Sequence, residues 1–78
     1  MTYLTQRITI DSTICNGKPT IRGQRITVQT ILEYLSTGDT YTEILDQYPM
    51  LEEKDIQECI KFAADLMNRK FVIDPTPA

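Results

Sequence analysis

The sequence predicts a mainly α fold: three helices in helix-turn-helix order, with a short β element ahead of them. Three observations carry this expectation. Apolar residues recur at helical spacing in three stretches between positions 27 and 70. Helix-capping residues stand at the boundaries of those stretches. Ahead of position 27 the pattern changes to a period of two, rich in β-branched residues and turn formers. At 78 residues the chain is read as one domain. Within it, 1–26 form the β and turn segment, 27–70 the bundle and 71–78 a C-terminal extension.

Arg7-Ile8-Thr9-Ile10 alternates polar and apolar residues and reads as a short strand with Ile8 and Ile10 on one face. Residues 11–19 carry Asp, Ser, Asn, Gly and Pro, which is turn chemistry, and Asn16-Gly17 supplies positive φ at little cost. Thr20-Ile21-Arg22 reads as a returning strand, broken by Gly23. The first helix starts after Thr27 as N-cap, with Val28, Ile31, Leu32 and Leu35 in one stripe and Gly38 as a left-handed cap. The second opens with a capping box, Thr40 to Glu43, buries Tyr41, Ile44, Leu45 and Tyr48, and stops at Pro49. The third runs from Glu53 to Lys70, with Ile56, Cys59, Ile60, Ala63, Leu66 and Met67 lining one side. Phe71-Val72-Ile73 is apolar and reads as extended.

The net charge of −3 conceals a division. From Arg7 to Arg25, four cations (Arg7, Lys18, Arg22 and Arg25) meet one acid, Asp11. From Thr40 onward, eight acids outnumber four cations. An anion is therefore expected to meet the N-terminal third, and a basic protein the C-terminal half. Lys18, Arg22 and Arg25 on the ribbon are candidate DNA contacts, with Gln57 and Lys61 of the third helix as weaker ones. The ribbon reads equally well as a charged edge that discourages strand pairing. Glu52, Glu53, Asp55 and Glu58 read as the solvated start of a helix.

Catalysis is not expected. The chain has no histidine, no glycine loop in phosphate-binding context and no metal-ligand spacing, so neither a metal nor a cofactor is expected. Cys15 and Cys59 read as reduced, packed thiols. No leader and no membrane span are read, and a cytoplasmic location follows as an expectation. A core this small also leads us to expect a dimer.

The string from Ile10 to Val28, IDSTICNGKPTIRGQRITV, with Leu45 to Leu51 and Asp55-Ile56 downstream, closely resembles the domain-of-unknown-function family 433. The matches are Gly17-Lys18-Pro19, Ile21-Arg22-Gly23, Arg25-Ile26, Val28, Gly38, Tyr48-Pro49 and Asp55-Ile56. Together they cover about Arg7 to Ala64. The resemblance implies a homeodomain-like three-helix fold after a small β element. It also implies an antitoxin role similar to VapB-type antitoxins, which pair with toxins resembling PIN-domain ribonucleases and often repress their own operon. One departure stands out: Glu52 occupies the place where the family usually has Ser or Thr as N-cap of the long helix.

Three functions follow as expectations. The first is an antitoxin that neutralises a PIN-like ribonuclease, docking it around Phe71, Val72 and Ile73, with operator DNA as a secondary ligand. The second is a sequence-specific DNA-binding dimer without a toxin. The third is a structural homodimer.

Overall fold

The computed structural model describes residues 1–69, so the reading of Phe71-Val72-Ile73 as extended lies outside the described residues. A small antiparallel sheet, β1 (Thr2–Tyr3), β2 (Ile8–Ile10) and β3 (Thr20–Ile21), precedes three helices, α1 (Val28–Ser36), α2 (Tyr41–Gln47) and α3 (Glu53–Met67). The expected hairpin is present, with Ile8 opposite Ile21 and Thr9 opposite Thr20. β1 adds a third strand, Thr2 opposite Ile10 and Tyr3 opposite Thr9. It carries no sequence signal because two residues cannot display a period.

Ile8 and Ile21 enter the core with Val28, Ile31, Ile44, Leu51, Ile56 and Cys59. Alternation along β2 holds only in part: Ile10 is half-buried, while Thr9 is buried. The Thr9 and Thr20 hydroxyls lie 3.1 Å apart, and the Gly23 N–H donates to Thr9 Oγ1 at 2.8 Å. This pairing offsets the cost of burying two hydroxyls.

The predicted caps are all found. Thr27 Oγ1 accepts from the Thr30 N–H at 3.0 Å. Thr40 and Glu43 bond reciprocally, at 3.0 and 3.2 Å. After α1, Gly38 has φ +94°; its N–H donates to the Leu35 carbonyl, and the Asp39 N–H to the Tyr34 carbonyl, both at 3.1 Å. That pair of bonds is the Schellman motif. Tyr34 and Tyr48 meet edge to face with centroids 5.9 Å apart, joining α1 to the end of α2.

α3 departs from expectation in two ways. It ends at Met67, leaving Arg69 beyond the helix. It is also turned about its axis relative to the predicted stripe. Asp55, expected in solvent, is fully buried, and Phe62 packs against the core, whereas Ile60 and Met67 are 41% and 70% exposed. Among the described residues no helix is long and apolar enough to cross a membrane.

Candidate functional site

The burial of Asp55 organises the surface of the whole molecule. After β3 the chain turns through Arg22 and Gly23, at φ +48° and +71°, and the Gln24 N–H closes the turn on the Ile21 carbonyl at 2.9 Å. Two consecutive left-handed residues make a type I′ turn, which glycine at the second position favours. The Arg22 N–H donates to the Arg7 carbonyl at 2.8 Å, so both arginines leave the sheet side by side.

Both guanidinium groups converge on Asp55 in the first turn of α3. Arg22 is bidentate, Nε to Oδ1 at 3.1 Å and Nη2 to Oδ2 at 2.8 Å, and Nη2 also donates to the Met50 carbonyl at 3.0 Å. Arg7 Nη1 donates to Asp55 Oδ1 and Glu52 Oε1, each at 2.8 Å. The Glu52 N–H donates to Asp55 Oδ2 at 2.8 Å. The Asp55 carboxylate thus accepts four hydrogen bonds, the condition under which a buried charge is tolerated. Burial pushes the Asp55 carboxyl up, but Arg22, the Glu52 N–H and Arg7 outweigh it and hold it below the usual carboxylate range. The hydrogen bond from Arg7 holds Glu52 low as well. Glu52, at the N-cap position of α3, contributes its N–H to Asp55 and its carboxylate to Arg7.

This cluster is a structural tie with no open coordination position, and it redistributes the charge read from the sequence. Arg7 and Arg22 are matched by Asp55 and Glu52. Of the predicted DNA contacts, Arg22 is engaged with Asp55, while Lys18, Arg25, Gln57 and Lys61 are exposed. Gln57 and Lys61 share the outer face of α3 with Lys54, at helical spacing. The predicted partner contacts Phe71, Val72 and Ile73 lie outside the described residues.

A second feature was not anticipated. An apolar groove of about 510 Å³ runs between α1 and α3, floored by Val28, Leu32, Phe62, Ala63 and Leu66, with Lys18 and Glu33 among its lining. Leu32 and Leu66 were assigned to buried stripes, yet Leu66 is 40% exposed. Phe62 was missed because the stripe was centred on Ile56 and Ile60. The burial of Asp55 is what brings Phe62 round, and a charged residue offers no periodic signal of being buried.

The model of a family described as "Protein of unknown function (DUF433)" matches residues 8–63. A solved structure, a DUF433 member protein from Anabaena variabilis ATCC 29413, matches with a TM-score of 0.73 and 31% identity over 80% of this chain. The match spans 61% of that longer chain. No curated protein matches.

Proposed function

The chain belongs to the DUF433 family, and from that premise we propose that it is the antitoxin of a toxin–antitoxin pair, binding and neutralising a PIN-like ribonuclease. The observation that carries the reading is the outer face of α3, where Ile60 and Met67 are 41% and 70% exposed and share a helical stripe with the exposed acid Glu53. Apolar side chains ringed by charge are the chemistry of a protein-docking surface. Acids suit a partner whose own site receives RNA phosphates. Phe71, Val72 and Ile73 follow in sequence and extend the apolar stretch. The internal pairing of Arg7 and Arg22 lowers the cationic surface available for nucleic acid and favours a protein ligand.

The test is growth rescue. Co-expressed with a growth-arresting PIN-like ribonuclease from its own genome, the full chain is expected to restore growth. The double variant Ile60→Asp, Met67→Asp fails to do so while keeping its far-UV circular dichroism. A full chain that leaves the ribonuclease active overturns the reading.

A second, subordinate reading is operator binding by a homeodomain-like module. It is supported by the order α2, turn, α3 and by Lys54, Gln57 and Lys61 on one exposed face of α3. Lys18→Ala and Arg25→Ala are each expected to lower the salt slope of DNA binding by about 0.9. A slope unchanged in both excludes the ribbon as the contact.

A further inference from the structure

We infer that Asn16 is a site of spontaneous modification, deamidation through a cyclic imide with Gly17, and that the folded turn at residues 15–17 holds it shut, whatever partner the protein takes.

The chemistry is set by two neighbouring residues. The Gly17 N–H passes its proton to water or hydroxide, and the nitrogen attacks Asn16 Cγ. A C–N bond forms, the Cγ–Nδ2 bond breaks, and Nδ2 takes a proton from solvent and leaves as ammonia. Water then opens the ring at either carbonyl. One opening leaves aspartate; the other reroutes the chain through Cγ and leaves isoaspartate. Glycine at 17 puts no side chain in the way of the attack. The other asparagine, Asn68, is followed by Arg69, whose side chain crowds the same nitrogen. Asn16 is exposed, so water and base reach it.

The folded turn forbids the attack. Asn16 sits at φ +57° and ψ +32°, between Cys15 at φ +50° and Gly17 at φ +76°. About the Cα–C bond, Cβ of an L-residue stands on the negative side of its own nitrogen. A ψ of +32° therefore leaves the Gly17 nitrogen nearly opposite Asn16 Cβ, where no side-chain rotamer brings Cγ to it. The nitrogen is also engaged. The Gly17 N–H donates to the Ile14 carbonyl and the Lys18 N–H to the Cys15 carbonyl, each at 3.1 Å.

The same turn can open without the rest of the fold. Its flanks are held separately, by the Ile14 N–H on the Asp11 carbonyl at 2.9 Å and the Val28 N–H on the Pro19 carbonyl at 3.0 Å. None of residues 15–17 is buried in the core. Asparagine and glycine take left-handed backbone readily; Cys15 does not, so opening relieves its strain. Short exposed turns are the segments that open most easily. The rate in the folded chain is then the rate of the open turn multiplied by the fraction of time it is open. The products part company afterwards. Aspartate tolerates the left-handed region and restores the turn, whereas isoaspartate carries an extra backbone methylene and cannot.

The experiment incubates the full chain, kept reduced at mildly alkaline pH, in buffer and in denaturing urea. Peptide mapping by mass spectrometry follows acid formation at Asn16 and Asn68, and enzymatic methylation of isoaspartyl carboxyls identifies the rearranged product. Denatured, Asn16 is expected to convert several-fold faster than Asn68. Folded, Asn16 is expected to slow by about tenfold or more, the equivalent of two backbone hydrogen bonds. Amide hydrogen exchange at Gly17 in the folded chain reads the opening of the turn independently, and its protection is expected to match that slowing. Asn16 converting as fast folded as denatured overturns the proposal, and so does a slowing that does not match the Gly17 protection. Absence of isoaspartate at Asn16 in the denatured chain overturns the site itself.

Discussion

Arg22 holds a left-handed backbone, at φ +48°, that costs a non-glycine residue on the order of 1–2 kcal/mol. The surrounding structure fixes it there through the N–H bond to Arg7 and the fork on Asp55. Asp55 is the residue on which the tie depends. Removing it leaves two guanidinium groups and the Glu52 N–H without their shared acceptor, and losing one member of a buried pair costs about 3–5 kcal/mol. For a domain with about 5–15 kcal/mol in total, Asp55→Ala is expected to remove a large share of the stability and lower the urea midpoint by an easily measured amount. Arg22→Ala leaves Asp55 with Arg7 and the Glu52 N–H, and is expected to lower the midpoint less. Equal losses in the two variants, or none in Asp55→Ala, would show that the cluster contributes little. The single sequence gave no access to this pairing: Arg22 and Asp55 stand 33 positions apart, and charge by itself assigns each of them to solvent.

At the scale of elements, the readable features are those set within four or five residues. Thr27, the Thr40–Glu43 box and Gly38 were all legible because a cap is chemistry between near neighbours. The rotation of α3 was not, because it depends on Arg7 and Arg22 reaching Asp55 from the sheet. The burial of Thr9 depends likewise on Gly23, fourteen positions away. The apolar groove follows from that rotation, so it was no more legible than Asp55. Caps that were readable should also be separable by mutation. Thr40→Ala removes one side of the capping box and is expected to cost about 1 kcal/mol. Gly38→Ala places a side chain at φ +94° and is expected to cost more than about 1 kcal/mol. Asp46→Ala, exposed on the short α2, is the control and should stay within about 0.5 kcal/mol. Urea melts of the three variants check the order. A Gly38→Ala as stable as the control would mean that the turn after α1 relaxes without loss.

For the whole molecule, the charges that join its parts also determine how it responds to acid and base. Asp11, held low by Thr13, lies in the turn between β2 and β3, and Glu43, held low by the Thr40 N–H, opens α2. Glu52 and Asp55 tie α3 to the sheet, and their carboxyls are also held below the usual range. In each case the unfolded chain binds the proton more readily than the folded one. Their contribution is therefore complete above the unfolded carboxylate values of about 4 and is lost as pH falls through the lower folded values. The opposite limit belongs to Cys59. Burial, with Asp55 and Glu58 adding repulsion, pushes its thiol up to about 12. Its contribution is complete below the unfolded thiol value of about 8.5 and is lost as pH rises from there toward 12. Stability is thus expected to form a plateau between about pH 5 and 8 with a falling arm on either side. Asp55→Asn should flatten the acid arm and, by removing a repulsion on the Cys59 thiolate, make the alkaline arm shallower, whereas Cys59→Ala should flatten the alkaline arm and leave the acid slope unchanged. Urea midpoints measured from pH 2 to pH 11 provide the check. An acid slope that is the same with and without the Asp55 carboxyl would mean that the tie between sheet and α3 holds equally well protonated.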